Sequence, residues 1–143
     1  MNSLKTALRK QSPNVLPLRI EKETFNGLST VANRKIALPT MEGIHFEKVQ
    51  DIVSLEAQGN YTMIYFNPKK QILVCKTLRE MELLINSEHQ FIRVHRSFTI
   101  NLNCIQKYIK GKGGYVIMED GTSISVSSGK KQDFIDALKI YFG

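Results

Sequence analysis

The segment DIVSLEAQGNYTMIYF, residues 51–66, predicts a β-hairpin. Residues 51–57 alternate between apolar and polar, as a half-buried strand does. Residues 60–66 are rich in β-branched and aromatic side chains, which favour a second strand. Gly59, with Gln58 before it, supplies the turn between them. The residues predicted to share one face of the first strand are Val53, Leu55 and Ala57.

Short strand patterns continue on both sides of this hairpin. A turn at Glu119-Asp120-Gly121 indicates a further hairpin. Because the strands do not alternate with long helices, a parallel sheet of the Rossmann type is not expected. The additional predicted strands are Lys35–Pro39, Gly43–Phe46, Gln71–Lys76, Phe91–His95, Asn103–Ile109, Tyr115–Met118 and Ser123–Val126.

Two segments have helical rather than strand periodicity. The first begins near Leu78, where Thr77 and Glu80 form a capping-box pattern. The second begins at about Lys130 and extends towards the C-terminus. The apolar residues that define these two helices are Leu78, Met81, Leu84 and Ile85 in the first and Phe134, Leu138 and Tyr141 in the second.

The length of 143 residues fits one domain with a tail. Residues 1–35 contain seven Lys or Arg and two Asp or Glu, whereas residues 36–143 contain thirteen and eleven. Most of the net charge of +7 therefore lies in the tail, and local clusters must support any argument for nucleic-acid binding. We expect residues 1–34 to be a linker or tail and residues 35–143 to be the folded domain.

The sequence contains no recognisable motif for a catalytic site or a metal site. His45, His89 and His95 form no metal-binding or catalytic spacing, and no nucleophile elbow or phosphate loop is present. Cys75 and Cys104 are far apart and form no Cys-x-x-Cys pair. We therefore expect neither an enzyme nor a bound metal or cofactor.

No apolar run approaches the roughly 20 residues of a membrane-spanning helix. The first residues also lack the apolar core of a signal peptide. The expectation is a soluble cytoplasmic protein with no membrane partner.

Three segments at predicted strand ends are rich in hydrogen-bond donors. They are Gln58–Thr62, Arg93–Ser97 and Ser127–Lys131. Arg96 can donate two hydrogen bonds to guanine, while His95 and Ser97 can reach phosphates or base edges. On composition alone, an ordinary strand end with solvated charges is the favoured interpretation.

The third segment breaks a local rule. Lys130 and Lys131 lie in the predicted first turn of the last helix, where cations oppose the helix dipole. Together with Ser127, Ser128 and free backbone N–H groups, this helix start is suited to bind an anion such as a DNA phosphate. Lysines extended into solvent are the alternative.

The order of these motifs resembles the LytTR family. The residues that carry the resemblance are DIVSLEAQGNY at 51–61, FIRVHRSFTIN at 91–101 and ISVS at 124–127 before a terminal helix. The resemblance covers about Lys35 to Phe142. It implies a mainly β fold of several small antiparallel sheets with two short helices.

The resemblance also implies a function. LytTR domains are DNA-binding output domains of bacterial response regulators, and they contact two successive major grooves through loops. The implied partner is double-stranded DNA carrying promoter repeats, with a homodimer on the DNA as an option. The implied DNA-binding residues are Asn60, Tyr61, Thr62, His95, Arg96, Ser97, Ser127, Ser128, Lys130 and Lys131.

Two features depart from the family pattern. Many members carry arginine after the Val-Ser that corresponds to Val126-Ser127, whereas Ser128, Gly129 and two lysines follow here. Phosphate contacts by lysine are therefore expected from this loop. Residues 1–34 are too short for the usual receiver domain, but Leu4–Lys10 is similar to the last helix of one, so the tail is either its remnant or part of a stand-alone protein.

One alternative function stays open at this point. A β-rich protein-interaction module with a basic tail would show the same composition. Preference for one duplex DNA sequence over others separates the two hypotheses.

Overall fold

The computed structural model describes residues 34–85 and 88–143, and over these ranges the chain forms ten strands in three small antiparallel sheets and two α-helices. The strands are β1 (Lys35–Thr40), β2 (Gly43–Lys48), β3 (Ile52–Gln58), β4 (Tyr61–Phe66), β5 (Lys70–Val74), β6 (Phe91–His95), β7 (Phe98–Asn101), β8 (Ile105–Ile109), β9 (Tyr115–Met118) and β10 (Ser123–Ser125). The helices are α1 (Leu78–Leu84) and α2 (Lys131–Phe142). The predicted fold class is confirmed.

The central sheet has five strands in the order β5-β4-β3-β7-β6. The hairpin predicted from residues 51–66 forms its middle, with Gln58 opposite Tyr61 next to the turn. A three-stranded sheet has the order β10-β9-β8, and β1 pairs with β2. The central sheet therefore joins a local hairpin to β7, which is distant in sequence.

Two hydrophobic cores lie within the described residues. In the first, α1 packs with β1, β3, β4 and β5, and Leu38, Leu55 and Met81 are fully buried. In the second, α2 packs with β6, β7 and the three-stranded sheet around Phe134. Strand β3 contributes to both cores, and this is why Ile52–Leu55 are all buried.

The prediction that Val53, Leu55 and Ala57 share one face is wrong. Leu55 and Ala57 pack in the first core, whereas Val53 packs in the second. A bulge lies between Ile52 and Ser54 in the pairing with β4. A bulge adds one residue to a strand and interrupts its two-residue period, so alternation does not predict the direction of Val53.

The predicted helices are confirmed with small changes at their ends. Thr77 Oγ1 accepts a hydrogen bond from the Glu80 N–H (3.1 Å), and Glu80 Oε1 accepts one from the Thr77 N–H (2.8 Å), which completes the capping box. Helix α2 starts at Lys131 after a 3-10 turn over Ser128–Lys130. One strand, β7, was not predicted, because strands were assigned to Phe91–His95 and Asn103–Ile109 and none to the four residues Phe98–Asn101 between them. The predictions for residues 1–33 lie outside the described residues.

Candidate nucleic-acid interface

Two of the donor-rich segments meet at one end of the central sheet. The turn after β3 contains Gly59 and Asn60, and the turn after β6 contains Arg96 and Ser97. The Ala57 N–H donates to the Ser97 carbonyl (2.8 Å), which joins the two turns through the backbone. The antiparallel pairing of β3 with β7 places them side by side, although about forty residues separate them in sequence.

The third donor-rich segment joins the same end. The Ser127 N–H donates to the Val94 carbonyl (2.9 Å), one residue before His95. The 3-10 turn Ser128–Lys130 and α2 follow directly. We call residues 58–62, 95–97 and 127–131 together the three-loop surface. The structure thus gathers three segments that sequence composition flagged separately.

The β3–β4 turn presents one polar and one aromatic side chain. Gly59 has φ +61°, a left-handed conformation that a Cβ disfavours, so this glycine fixes the tight turn. Asn60 and Tyr61 are exposed beside it. Thr62 differs from them, since it is buried and its Oγ1 donates to the Lys76 carbonyl (2.8 Å). Its side chain anchors the start of β4 inside the fold.

The β6–β7 turn carries His95, Arg96 and Ser97. The Ser97 N–H donates to His95 Nδ1 (3.1 Å), which leaves Nε2 to carry the ring proton of the neutral imidazole. The rings of His95 and Phe98 also pack in a T-shaped arrangement, with centroids 5.9 Å apart. His95 is thereby held in one orientation, whereas the Arg96 side chain is exposed at the tip.

Arg93 supports this turn from within. Its Nε donates to the His95 carbonyl (3.1 Å) and one terminal nitrogen donates to the Arg96 carbonyl (2.9 Å). The other terminal nitrogen pairs with Glu82 Oε1 of α1 (2.9 Å). The second oxygen of Glu82 accepts from Thr99 Oγ1 (3.0 Å). One arginine therefore ties the turn to a helix.

Sequence reasoning did not assign a role to Arg93, Glu82 or Thr99. Arg93 lies in the donor-rich segment, and the only sequence signal for a supporting role was its place in a strand next to the buried Val94. Glu82 has the pattern of an ordinary helix-surface residue. Only the packing of α1 against the central sheet relates the two.

The segment 127–131 has a mixed environment. Ser128 is exposed, and Ser127 and Lys130 are half-buried. Lys131 Nζ donates to the Gly111 carbonyl in the loop between β8 and β9 (2.9 Å). This carbonyl compensates part of the unfavourable placement of a cation at a helix start, as does Asp133 in the same turn.

Glu56 lies close to the three-loop surface but has an internal partner. Tyr65 Oη donates to Glu56 Oε1 (2.7 Å) across the β3–β4 pair. Burial and this hydrogen bond raise the pKa of Tyr65 to about 12. The carboxylate of Glu56 therefore orders the sheet, and its hydrogen-bonded oxygen is not free for an external ligand.

Over residues 34–85 and 88–143, no group of three His, Cys, Asp or Glu side chains is arranged to hold a metal ion. Among the helices in these ranges, none has the length and apolar character needed to cross a membrane.

Comparison with known proteins gives consistent matches. A sequence model of the LytTr DNA-binding domain family matches residues 42–139. The CO-responsive transcriptional regulator RcoM of Rhodospirillum rubrum is 29% identical over 100 residues, which cover 69% of this chain and 42% of that protein. The chain thus spans less than half the length of this curated relative.

A solved structure also matches. The LytTr DNA-binding domain of a Bacillus cereus protein, described as a methyl-accepting/DNA response regulator, has a TM-score of 0.63 and 25% identity to this chain. The match covers 73% of this chain and 95% of that one.

Proposed function

The chain belongs to the LytTr family of DNA-binding domains, and from this we propose that it binds double-stranded DNA in a sequence-specific manner through the three-loop surface. The observation that carries the proposal is the convergence of three donor-rich loops at one end of the fold. Two backbone hydrogen bonds, from Ala57 to Ser97 and from Ser127 to Val94, hold them together. Loops fixed in this way present their side chains to a ligand with little ordering cost.

Arg96 is the proposed base-reading residue. Its exposed guanidinium lies at the tip of a turn whose backbone is fixed by Arg93. A guanidinium donates two parallel hydrogen bonds to O6 and N7 of guanine, a pattern that distinguishes guanine in the major groove. Asn60, on the neighbouring turn, has the amide that pairs with adenine in the same manner.

The remaining exposed or half-buried residues of the three-loop surface are proposed to hold the DNA backbone. Ser97, Ser127 and Ser128 offer short hydroxyl donors, and Lys130 offers a cation for phosphate. Tyr61 is 41% exposed and adds an apolar contact with a hydroxyl at its end. Phosphate contacts fix the orientation of a protein on the duplex without reading sequence.

Thr62 and Lys131 receive supporting roles in this proposal. Thr62 is buried, and its hydrogen bond to the Lys76 carbonyl fixes the start of β4, so it positions the preceding residue, Tyr61. The ammonium of Lys131 is already bonded to Gly111, so it contributes its charge with a fixed position. His95 contributes through its free Nε2, because Nδ1 already accepts from Ser97.

The biological setting follows the relatives' described roles. The names of both relatives describe regulators, one as a transcriptional regulator and the other as a response regulator. We propose that this chain likewise serves as the output domain of a bacterial transcription regulator in the cytoplasm, within a two-component system. It would bind promoter repeats, with two copies on adjacent sites as a homodimer on the DNA.

Selection of duplex DNA from a random library by the full chain tests the proposal. We expect a recurring sequence with at least one guanine whose replacement weakens binding. Arg96→Ala should then cost about 1–3 kcal/mol and relax preference at that one position. Lys69→Ala is the control, since it removes one charge from the β4–β5 turn at the opposite end of the sheet.

Recovery of no preferred duplex, with residues 1–34 alone accounting for all binding, would contradict the proposal. That result would favour a protein-interaction module with a basic tail. An unchanged preference in the Arg96→Ala protein would contradict the role of this residue only.

A further inference from the structure

A fourth loop lies beside the three-loop surface and is strongly basic. It connects β8 to β9 and has the sequence Lys110-Gly-Lys-Gly-Gly114. In the three-stranded sheet, Tyr115 pairs with Ile109 on one side and with Ser125 on the other. This loop therefore lies at the end of the sheet where β10 leads into Ser127, while the β9–β10 turn lies at the opposite end.

Two hydrogen bonds join the fourth loop to the 126–131 segment. Lys131 Nζ donates to the Gly111 carbonyl (2.9 Å), and the Val126 N–H donates to the Gly114 carbonyl (2.9 Å). The base of the loop is also tightly packed, because a Cβ on Gly114 would lie 3.0 Å from Tyr108 Oη. The loop is thus held at both ends against the proposed DNA-binding surface.

No ion pair found among the described residues includes a lysine of this region. Residues 107–114 contain three lysines and residues 127–131 contain two, and neither range contains Asp or Glu. Among the described residues, His45 pairs with Glu42, Lys70 with Glu47 and Arg93 with Glu82. Lys110 and Lys112 are exposed and take part in none of them.

Neither lysine contributes to a core. Both side chains lie outside the two hydrophobic clusters, so packing does not explain their position. Clustered like charges repel one another, and a polyanion in contact with the cluster neutralises them. Binding is favoured further because the polyanion then releases its own condensed counterions. A duplex seated on the three-loop surface is the polyanion that continuity of the surface favours.

We infer that Lys110 and Lys112 bind backbone phosphates of the DNA, as a fourth contact loop next to Ser127–Lys131. The inference rests on the proposed function. Lysine is a point charge on a flexible stem, so these contacts add affinity for any sequence and do not read bases. Gly111 and Gly113, the neighbours of Lys112, leave room for the DNA backbone, since a Cβ at either position would meet nothing within 4 Å.

The test compares two double variants of the full chain on one selected duplex. Lys110→Gln/Lys112→Gln removes the charge of the fourth loop. Lys48→Gln/Lys69→Gln removes the same charge from exposed residues at the other end of the central sheet. Lys48 lies near Lys69 at this end because the carbonyl of Asp51, three residues after Lys48, accepts a hydrogen bond from the Asn67 N–H in the β4–β5 turn (2.9 Å).

Each phosphate contact contributes about −0.9 to the slope of log Kobs against log salt concentration. We therefore expect the fourth-loop variant to lower the steepness of this slope by about two and to weaken binding roughly ten- to thirtyfold at 0.15 M salt. The preferred sequence and the thermal unfolding temperature should not change. The control double variant should change the slope by much less.

The possible results separate the two proposals. An unchanged slope in the fourth-loop variant, with normal selection of a preferred duplex, would overturn this inference and leave the proposed function intact. Equal slope changes in both double variants would also overturn it, because net charge alone would then account for the effect. Failure of the unaltered chain to prefer any duplex would instead remove the proposed function.

Discussion

Arg93→Lys is the substitution that tests how the fold positions its proposed base-reading residue. The Arg93 guanidinium donates to two turn carbonyls and pairs with Glu82. Lysine retains a positive charge that can reach the Glu82 carboxylate. It lacks the planar fork needed to reach both carbonyls at once. The substitution therefore releases the turn that carries Arg96 while leaving the ion pair possible.

The expected loss of stability follows from the contacts. Each of the two hydrogen bonds to a carbonyl contributes about 1 kcal/mol to the free energy of unfolding. The Arg93 and Glu82 side chains are both 29% exposed, so the ion pair itself adds at most about 1 kcal/mol. Arg93→Lys should lower the free energy of unfolding by about 2 kcal/mol, and Arg93→Met by about 3 kcal/mol.

Arg93→Lys should weaken DNA binding because the turn that carries Arg96 becomes more mobile, and not because a contact with DNA is lost. Fixing a freed side chain on binding costs about 1 kcal/mol, which is about a fivefold increase in Kd. Titration of a selected duplex, by fluorescence anisotropy, measures this change. Urea unfolding of the same protein measures stability independently.

A double-mutant cycle with Arg96→Ala decides whether Arg93 acts through Arg96. If it does, Arg93→Lys should weaken binding in the unaltered background and have little effect when Arg96→Ala is already present. Its effect on stability should persist in both backgrounds. Equal losses of affinity in the two backgrounds would refute the positioning role, as would a Kd unchanged by Arg93→Lys alone.

Three further outcomes are expected. Lys130→Ala should weaken binding to all duplexes and reduce the slope of log Kobs against log salt concentration by about one. Weaker binding only to duplexes with a particular base at one position would contradict a phosphate contact. Thr77→Ala should lower the free energy of unfolding by about 1 kcal/mol in urea titrations, because it removes the helix cap. Hydrogen bonds from Thr77 hold the pKa of Glu80 below its ordinary value of 4.5. The stability that the ionised Glu80 carboxylate contributes through these bonds is therefore complete above pH 4.5 and decreases as the pH falls further. A loss of stability in Thr77→Ala that stays constant through acid pH would contradict this link between Thr77 and Glu80. Burial raises the pKa of Cys104 to about 11, whereas Cys75 is exposed. At pH 8 a thiol reagent should therefore modify Cys75 in the native protein and Cys104 only after unfolding. Rapid modification of both cysteines in the native protein would contradict the burial of Cys104.

The amino-acid sequence determined most of the local structure. Alternation and β-branched residues predicted nine of the strands, and Thr77 with Glu80 predicted the start of the first helix. Three donor-rich segments were also visible, because turns and strand ends have a recognisable composition. These features depend on neighbours within a few residues, which is the range that a sequence pattern reports.

Tertiary structure alone decided how those segments are arranged. Residues distant in sequence share hydrogen bonds, as between Ala57 and Ser97 or between Lys131 and Gly111. No periodicity specifies such partners, because strand order and helix packing set them. The same reason explains the missed role of Arg93, whose partner Glu82 lies on a helix. The direction of Val53 was predicted wrongly because the bulge in the pairing of β3 with β4 interrupts the two-residue period. The sequence contained the residues of the proposed interface, and the pairing of the sheet gathered them into one surface.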